Sequence, residues 1–210
     1  MNQLLIFDLD DTLFETKSIG KKAVKPIFDQ FDPLLIAKFG KEMTAKIVPE
    51  LWKYPFDFVS QKYGFDTHQN AEFARLINVH NYELNIQTFE DCNVIEDLSQ
   101  EKILVTTGFS KLQHAKIHFL GIKEQFSEIY IDDILSPTRI FKKGIFQNIL
   151  LKRKIDPTRV YIIGANPTSE LKAGFELGLN TIQVAKFGQE RSIYAKHCIS
   201  NFNELLTILE

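Results

Sequence analysis

The chain of 210 residues is 44% hydrophobic and 25% charged, a balance that suits a globular protein forming one large domain or a core domain with an insertion. A formal charge of -2 and a pI near 6.2 leave no broad basic surface, which argues against nucleic acid or an anionic membrane as partner and points to small molecules. Cys92 and Cys198 are too few for a disulfide framework or zinc cluster, no basic leader precedes the first apolar run, and no window approaches the ~20 apolar residues that cross a bilayer, so a reducing cytoplasm is the expected setting.

The run LLIFDLDDTLF at residues 4–14 opens the chain as a buried strand that stops at Asp8, Asp10, Asp11 and Thr12. In an open α/β sheet the carboxyl ends of the strands form the edge where ligands bind. Three acids in four residues could be a polar turn. Their mutual repulsion, however, calls for a cation or basic group, a cost that functional sites tolerate and plain turns seldom need.

Residues 16–88 show helical spacing with breaks, with Pro33 leading into LLIAKFGKEMTAKIV and Thr67 leading into HQNAEFARLINVHNYEL. Within this block Lys17, Lys21, Lys22 and Lys25 are expected to form a solvated face, and Trp52, Tyr54, Phe56 and Phe58 to pack a small core. From residue 89 short strands and helices alternate: KILVTT, SKLQHAKIHFLGI, SEIYID, KKGIFQNILLKRK, RVYIIG, PTSELKAGFELG and NTIQVA. Repeated βα units predict a Rossmann-like, three-layer α/β core with a parallel sheet. Residues 1–15 and 89–210 then form the core, and residues 16–88 an inserted all-helical cap over the crevice, free to move as a lid.

The later strand ends should converge on the edge that holds Asp8. ILVTTG brings Thr106, Thr107 and Gly108, whose hydroxyls and amides can hold phosphoryl oxygens without adding charge. IFKKG brings Lys142 and Lys143, either of which could neutralise the acids and hold a phosphate. YIIGANPTSE brings Glu170 near a helix start.

Acid pair, hydroxyl, lysine and acid, in that order on four strand ends, resemble the haloacid dehalogenase-type phosphatases with a subclass I helical cap. FDLDDT is similar to the family's first motif, LVTTG to its second, the lysine to its third and GANPTSE to its fourth, with Gln113 and Lys116 of QHAKIHFLGI also fitting the pattern. The resemblance implies a Mg²⁺-dependent phosphomonoester hydrolase acting on a small phosphorylated metabolite. Asp8 would be the nucleophile that forms an aspartyl-phosphate, and Asp10 the proton donor and then the base. Thr106 and a lysine, Lys142 by its spacing to Phe146, would complete the catalytic set, with Thr107 and Gly108 binding the phosphoryl group. Asp8, Asp10 and Glu170 would be the metal ligands. Thr12 would fix the loop.

One position departs from the family pattern. Gly164 is followed by Ala165 where an acid is usual, so Mg²⁺ affinity should fall unless Glu170, Asn166 or Asp133 compensates. A weak or inactive phosphoryl-compound binding protein therefore stays open as a second reading. A metal-independent dehalogenase is a third, although it leaves Asp10 without a task.

Overall fold

The apolar run that opens the chain becomes β1 (Leu4–Phe7), buried at every position because helices cover both faces of the sheet it centres. A computed structural model describes residues 3–209, apart from the side chains of Trp52 and Lys53. Among those residues β1 joins β2 (Glu101–Gly108), β3 (Glu128–Asp133), β4 (Val160–Gly164), β5 (Asn180–Val184) and β6 (His197–Ile199) in the order β3-β2-β1-β4-β5-β6. Every pairing is parallel. The chain order reverses direction across β1, flanked by β2 on one side and β4 on the other, and this switch point is where open α/β sheets hold ligands.

Alternate residues of β1 enter two separate cores, as the two-residue period of a strand requires. Leu4 and Ile6 meet Ile103, Val105 and Ile162, capped by Ile145, Phe146 and Ile149 of α6 (Phe141–Arg153) and Ala173 of α7 (Lys172–Glu176). Leu5 and Phe7 belong to the larger core. It takes in Ile117 of α5 (Ser110–Leu120) and Leu205 of α8 (Glu204–Ile208), then runs on into the helical block.

That block holds α1 (Gly20–Lys53), α2 (Phe56–Tyr63) and α3 (Thr67–Val79), followed by a short α4 (Asn93–Asp97). The helix expected to begin at Pro33 starts earlier, at Gly20, and contains Pro26 and Pro33; its break falls instead at Gly40, whose φ of 75° only glycine adopts readily. Asp66 caps α3 in a reciprocal box with Gln69. The helix stops at Val79, short of the predicted HNYEL. There the chain becomes extended, and Tyr82, Leu84 and Ile86 alternate inward on the way back to the core. The returning Phe89 amide donates to the carbonyl of Leu13, so the two connections between the block and the sheet lie side by side.

The block packs through aromatic rings. Phe56 stacks on Phe73 with centroids 4.4 Å apart, and both touch Phe109, which follows β2. Phe58 and Tyr54 are exposed rather than packed inside, and the Trp52 side chain lies outside the described residues. Lys17, Lys21, Lys22 and Lys25 are exposed, as expected.

Candidate active site

The chain leaves β1 through Asp8, Leu9 and Asp10 and turns at Asp11, whose φ of 55° is left-handed and whose carboxylate accepts from the Thr16 amide at 2.8 Å. The turn separates the crowded acids. Asp11 faces the loop while Asp8 and Asp10 are turned toward the sheet edge, and each meets its own lysine from a distant element.

Lys142, in the first turn of α6, donates to Asp8 Oδ1 at 2.6 Å and to Glu170 Oε2 at 2.8 Å; all three side chains are almost fully buried. Lys116 of α5, also buried, donates to Asp10 Oδ1 at 2.7 Å. Gln113, one helical turn earlier on the same face, presents its amide nitrogen to Asp10 Oδ2 at 2.9 Å, to the Thr106 hydroxyl, and to the Thr107 carbonyl at 3.2 Å. Thr16 adds a 3.2 Å bond to Asp10. Two hydrogen-bonded groups result: Asp8, Lys142 and Glu170 across β1, α6 and the turn after β4, and Asp10, Lys116, Gln113 and Thr106 across the loop after β1, α5 and β2, with Asp8 and Asp10 two residues apart in the chain.

Glu170 reaches the first group through an unusual turn. Residues Pro167–Leu171 form a single π-helical turn, Asn166 caps it by accepting from the Thr168 amide at 2.9 Å, and Glu170 Oε1 folds back to accept from the Asn166 amide at 2.6 Å. Gly164 makes room, since a Cβ there would lie 2.4 Å from Glu170 Cγ. Gly108 serves Gln113 similarly, with a Cβ there only 3.0 Å from the Gln113 amide carbon. Thr12 is wholly buried and ties the first loop to the fourth strand: its hydroxyl accepts from the Ala165 amide at 3.0 Å and makes a long 3.5 Å contact with Asp8 Oδ2.

Electrostatics separates the two aspartates. Burial and the neighbouring Glu170 push the Asp8 carboxyl up to about 7, with Lys142 opposing them. Burial also acts upward on Asp10, yet Lys116 and the bonds from Gln113 and Thr16 outweigh it and hold this carboxyl below the usual range. Lys142, although desolvated, is held firmly protonated by Asp8 and Glu170.

Magnesium fits this donor set poorly. No three acidic, histidine or cysteine side chains converge as a metal cluster among the described residues. Both Glu170 oxygens are engaged, Asp8 Oδ1 carries Lys142, and Asp10 carries Lys116, Thr16 and Gln113. Position 165 offers only a methyl group. The substitutes considered from the sequence do not fill the gap, because Asn166 caps its own turn and Asp133 accepts from the Leu135 amide at 3.0 Å. Of the oxygens of Asp8, Asp10 and Glu170, Asp8 Oδ2 is the least engaged among the described residues, with a long 3.5 Å contact from the Thr12 hydroxyl.

Of the adjacent lysines, Lys142 reaches Asp8 and Glu170, whereas the exposed Lys143 pairs with Glu176 at 2.7 Å. The Thr107 hydroxyl turns away from Thr106 and donates to Asp132 at 2.9 Å, leaving only its main chain for the expected phosphoryl contact. Asp132, which pairs with Arg139 at 2.8 Å, is not evident as a site residue from the sequence, and neither is its partner. Their signal is faint, an aspartate at the end of β3 and an arginine seven residues later in a loop.

A family model described as haloacid dehalogenase-like hydrolase matches residues 5–184. The chain is 24% identical over 199 residues to YfnB of Bacillus subtilis (strain 168), named as a HAD-hydrolase, covering 84% of this chain and 81% of that protein. It is 22% identical over 225 residues to the glyceraldehyde 3-phosphate phosphatase of Pyrococcus furiosus, covering 99% and 93% respectively. Among solved structures, magnesium-bound YfnB superposes with a TM-score of 0.68 at 19% identity, over 100% of this chain and 99% of that one. The L-2-haloacid dehalogenase of Xanthobacter autotrophicus superposes with a TM-score of 0.61 at 14% identity, over 100% and 98%.

Proposed function

The chain belongs to the haloacid dehalogenase-like hydrolase family, and from that premise we propose that it hydrolyses small phosphomonoesters through a covalent intermediate on Asp8, residues 1–15 and 89–210 forming the hydrolytic core and residues 16–88 a helical cap. The reading rests above all on Asp10, a second carboxylate that Lys116, Gln113 and Thr16 hold two residues from the proposed nucleophile. A leaving alkoxide needs a proton, so a phosphatase has a task for this group.

In the proposed reaction an ionised Asp8 oxygen attacks phosphorus, and the P–O bond to the leaving group breaks. A proton passes from Asp10 to the departing oxygen. Below about pH 7 the free enzyme carries one proton on the pair, held by Asp8 while Asp10 is ionised; when substrate binds, that proton passes through solvent to Asp10, leaving Asp8 ionised to attack and Asp10 able to protonate the leaving oxygen. Asp10 then takes a proton from the water that attacks the aspartyl-phosphate, releasing inorganic phosphate and regenerating Asp8. Lys142 and the Thr106 hydroxyl bind the phosphoryl oxygens, whose charge two buried ammonium groups offset. The scheme routes no step through magnesium, and the similarity to a magnesium-bound hydrolase makes added Mg²⁺ a necessary arm of the test.

A second reading, hydrolysis of a carbon–halogen bond, is favoured by Ala165, because that reaction does without the metal that an acid at this position would hold. Phosphate release from a panel of phosphomonoesters, and halide release from 2-haloacids, measured with Mg²⁺ and with chelator, decide between them. Phosphate release that Asp8→Asn abolishes supports the proposal. Halide release alone, or neither product across the panel, refutes it.

A further inference from the structure

The loop between β3 and α6 carries a cluster that the chemistry above leaves unused. Arg139 spans three partners: Nε and Nη2 donate to the two oxygens of Asp132 at 2.8 Å each, Nη1 donates to Asp57 in α2 at 2.8 Å, and the guanidinium lies 4.5 Å from the centre of the Phe141 ring. We propose that Arg139 is a positioning residue that makes the seating of the cap on the core and the placement of Lys142 a single event.

The two ionic arms are unequal. The Asp132 side chain is 2% exposed and the Arg139 side chain 16%, so the two-pronged core arm is desolvated and fixed. Asp57 is 47% exposed, and an ion pair that wet is weak and readily exchanged with water. A fixed arm to the core and a breakable arm to α2 suit a catch that closes with the cap.

The ring contact carries the coupling. Phe141 adopts a φ of 58°, a conformation a bulky residue holds only when its surroundings impose it, and it directly precedes Lys142. This turn folds Ile140 back over the helix start, where a Cβ on Gly144 would lie 2.8 Å from the Ile140 Cβ. The segment that delivers Lys142 to Asp8 is therefore tight and strained, and Arg139 covers its one exposed ring. Asp132 extends the connection to the second strand by accepting from Thr107.

Hydrogen exchange on the full chain, followed by mass spectrometry, tests this without reference to any substrate. Asp57→Asn should raise exchange at least threefold in residues 56–63 and leave residues 140–144 protected. Arg139→Gln should raise it in both segments, as should Arg139→Gln combined with Asp132→Asn, which leaves no buried charge unpaired and so retains the fold. Arg139→Lys, lacking the fork and the planar face, should fall between. A kinetic arm rests on the phosphatase reading: Asp57→Asn should raise KM severalfold at nearly unchanged kcat, whereas the double variant should lower kcat tenfold or more. Loosening of residues 56–63 alone in the double variant, with residues 140–144 and kcat unchanged, overturns the proposal and reduces Arg139 to a simple bridge. Absence of phosphatase activity refutes the reaction but leaves the exchange result to decide the coupling.

Discussion

Replacing Asp8 with asparagine should make the protein more stable at neutral and alkaline pH, because ionising this buried carboxylate beside Glu170 costs free energy that a neutral isostere avoids. The native Asp8 carboxyl titrates at about 7 against an ordinary value of 3.8, a gap of about 3 units, or about 4 kcal/mol at 1.36 kcal/mol per unit. Between those two pH values the native state holds a proton that the unfolded chain has released, so stability falls as pH rises through the window, and the full cost applies above it. The asparagine oxygen can still accept from Lys142, which keeps Glu170 as its counter-charge, and the amide can turn toward the Thr12 hydroxyl. Loss of one ionic partner for Lys142 offsets part of the gain. The expected advantage at pH 8 is therefore about 2 to 4 kcal/mol, or roughly 5–15 °C in Tm for a chain of this size. It should shrink to under about 2 kcal/mol at pH 5 and vanish near pH 4. Urea melts of both proteins from pH 4 to 8 in the presence of chelator measure the difference directly, and other titrating groups cancel in the comparison. Parallel stability profiles for the two proteins, or a wild type that gains on the variant as pH rises, would refute the electrostatic account of the site.

Ala165→Asp should restore a cation ligand beside Asp8 and make phosphate release respond to Mg²⁺; identical rates with metal and with chelator would count against the account of that position. Asp10→Asn should lower phosphomonoester turnover by about 10²-fold or more while leaving any halide release intact, as the two product assays can report. In chelator, kcat/KM should fall as pH increases through about 7, since the one proton that the aspartate pair holds below that pH, and that Asp10 must donate, is then lost; a rate that rises over that range contradicts the proton donor assigned to Asp10. Lys142→Met should destabilise the fold by about 3 to 5 kcal/mol by leaving Asp8 and Glu170 buried without a counter-charge. Lys143→Met, on the exposed side, should change stability by less than about 0.5 kcal/mol in the same melts.

Strands with strong apolar runs were legible because burial on both faces demands them: LLIF, KILV, VYII and TIQV carry the centre of the sheet. The sixth strand, His197–Ile199, is too short to register as a pattern and exists because β5 offers it a free edge. In the helical block, the apolar spacing of α3 runs on into HNYEL, so the alternation of Tyr82, Leu84 and Ile86 reads equally as helix or as extended chain. Tertiary contact resolves the ambiguity, since His80 meets the carbonyl of Ala23 and the chain must cross back to Leu13. Proline was a misleading punctuation mark in α1. The break came from Gly40, which satisfies a backbone conformation that the prolines do not require.

In the candidate site, the need for compensation was legible from the three acids alone, and the identity of the compensating groups was partly so. Lys142, Ile145, Phe146 and Ile149 recur at helical spacing, so once the last three face the sheet the first must as well, while Lys143, about 100° around the helix, must face water. The same geometry puts Gln113 and Lys116 on one face of α5. Which acid each lysine meets depends on strand order, a property of the whole sheet rather than of any segment. With β1 between β2 and β4, α5 follows β2 and delivers Lys116 to Asp10, while α6 and the turn after β4 deliver Lys142 and Glu170 to Asp8. That division gives the two aspartates opposite proton affinities. The acid with one lysine to itself stays ionised, and the acid that shares its lysine with a third carboxylate keeps its proton until pH approaches 7.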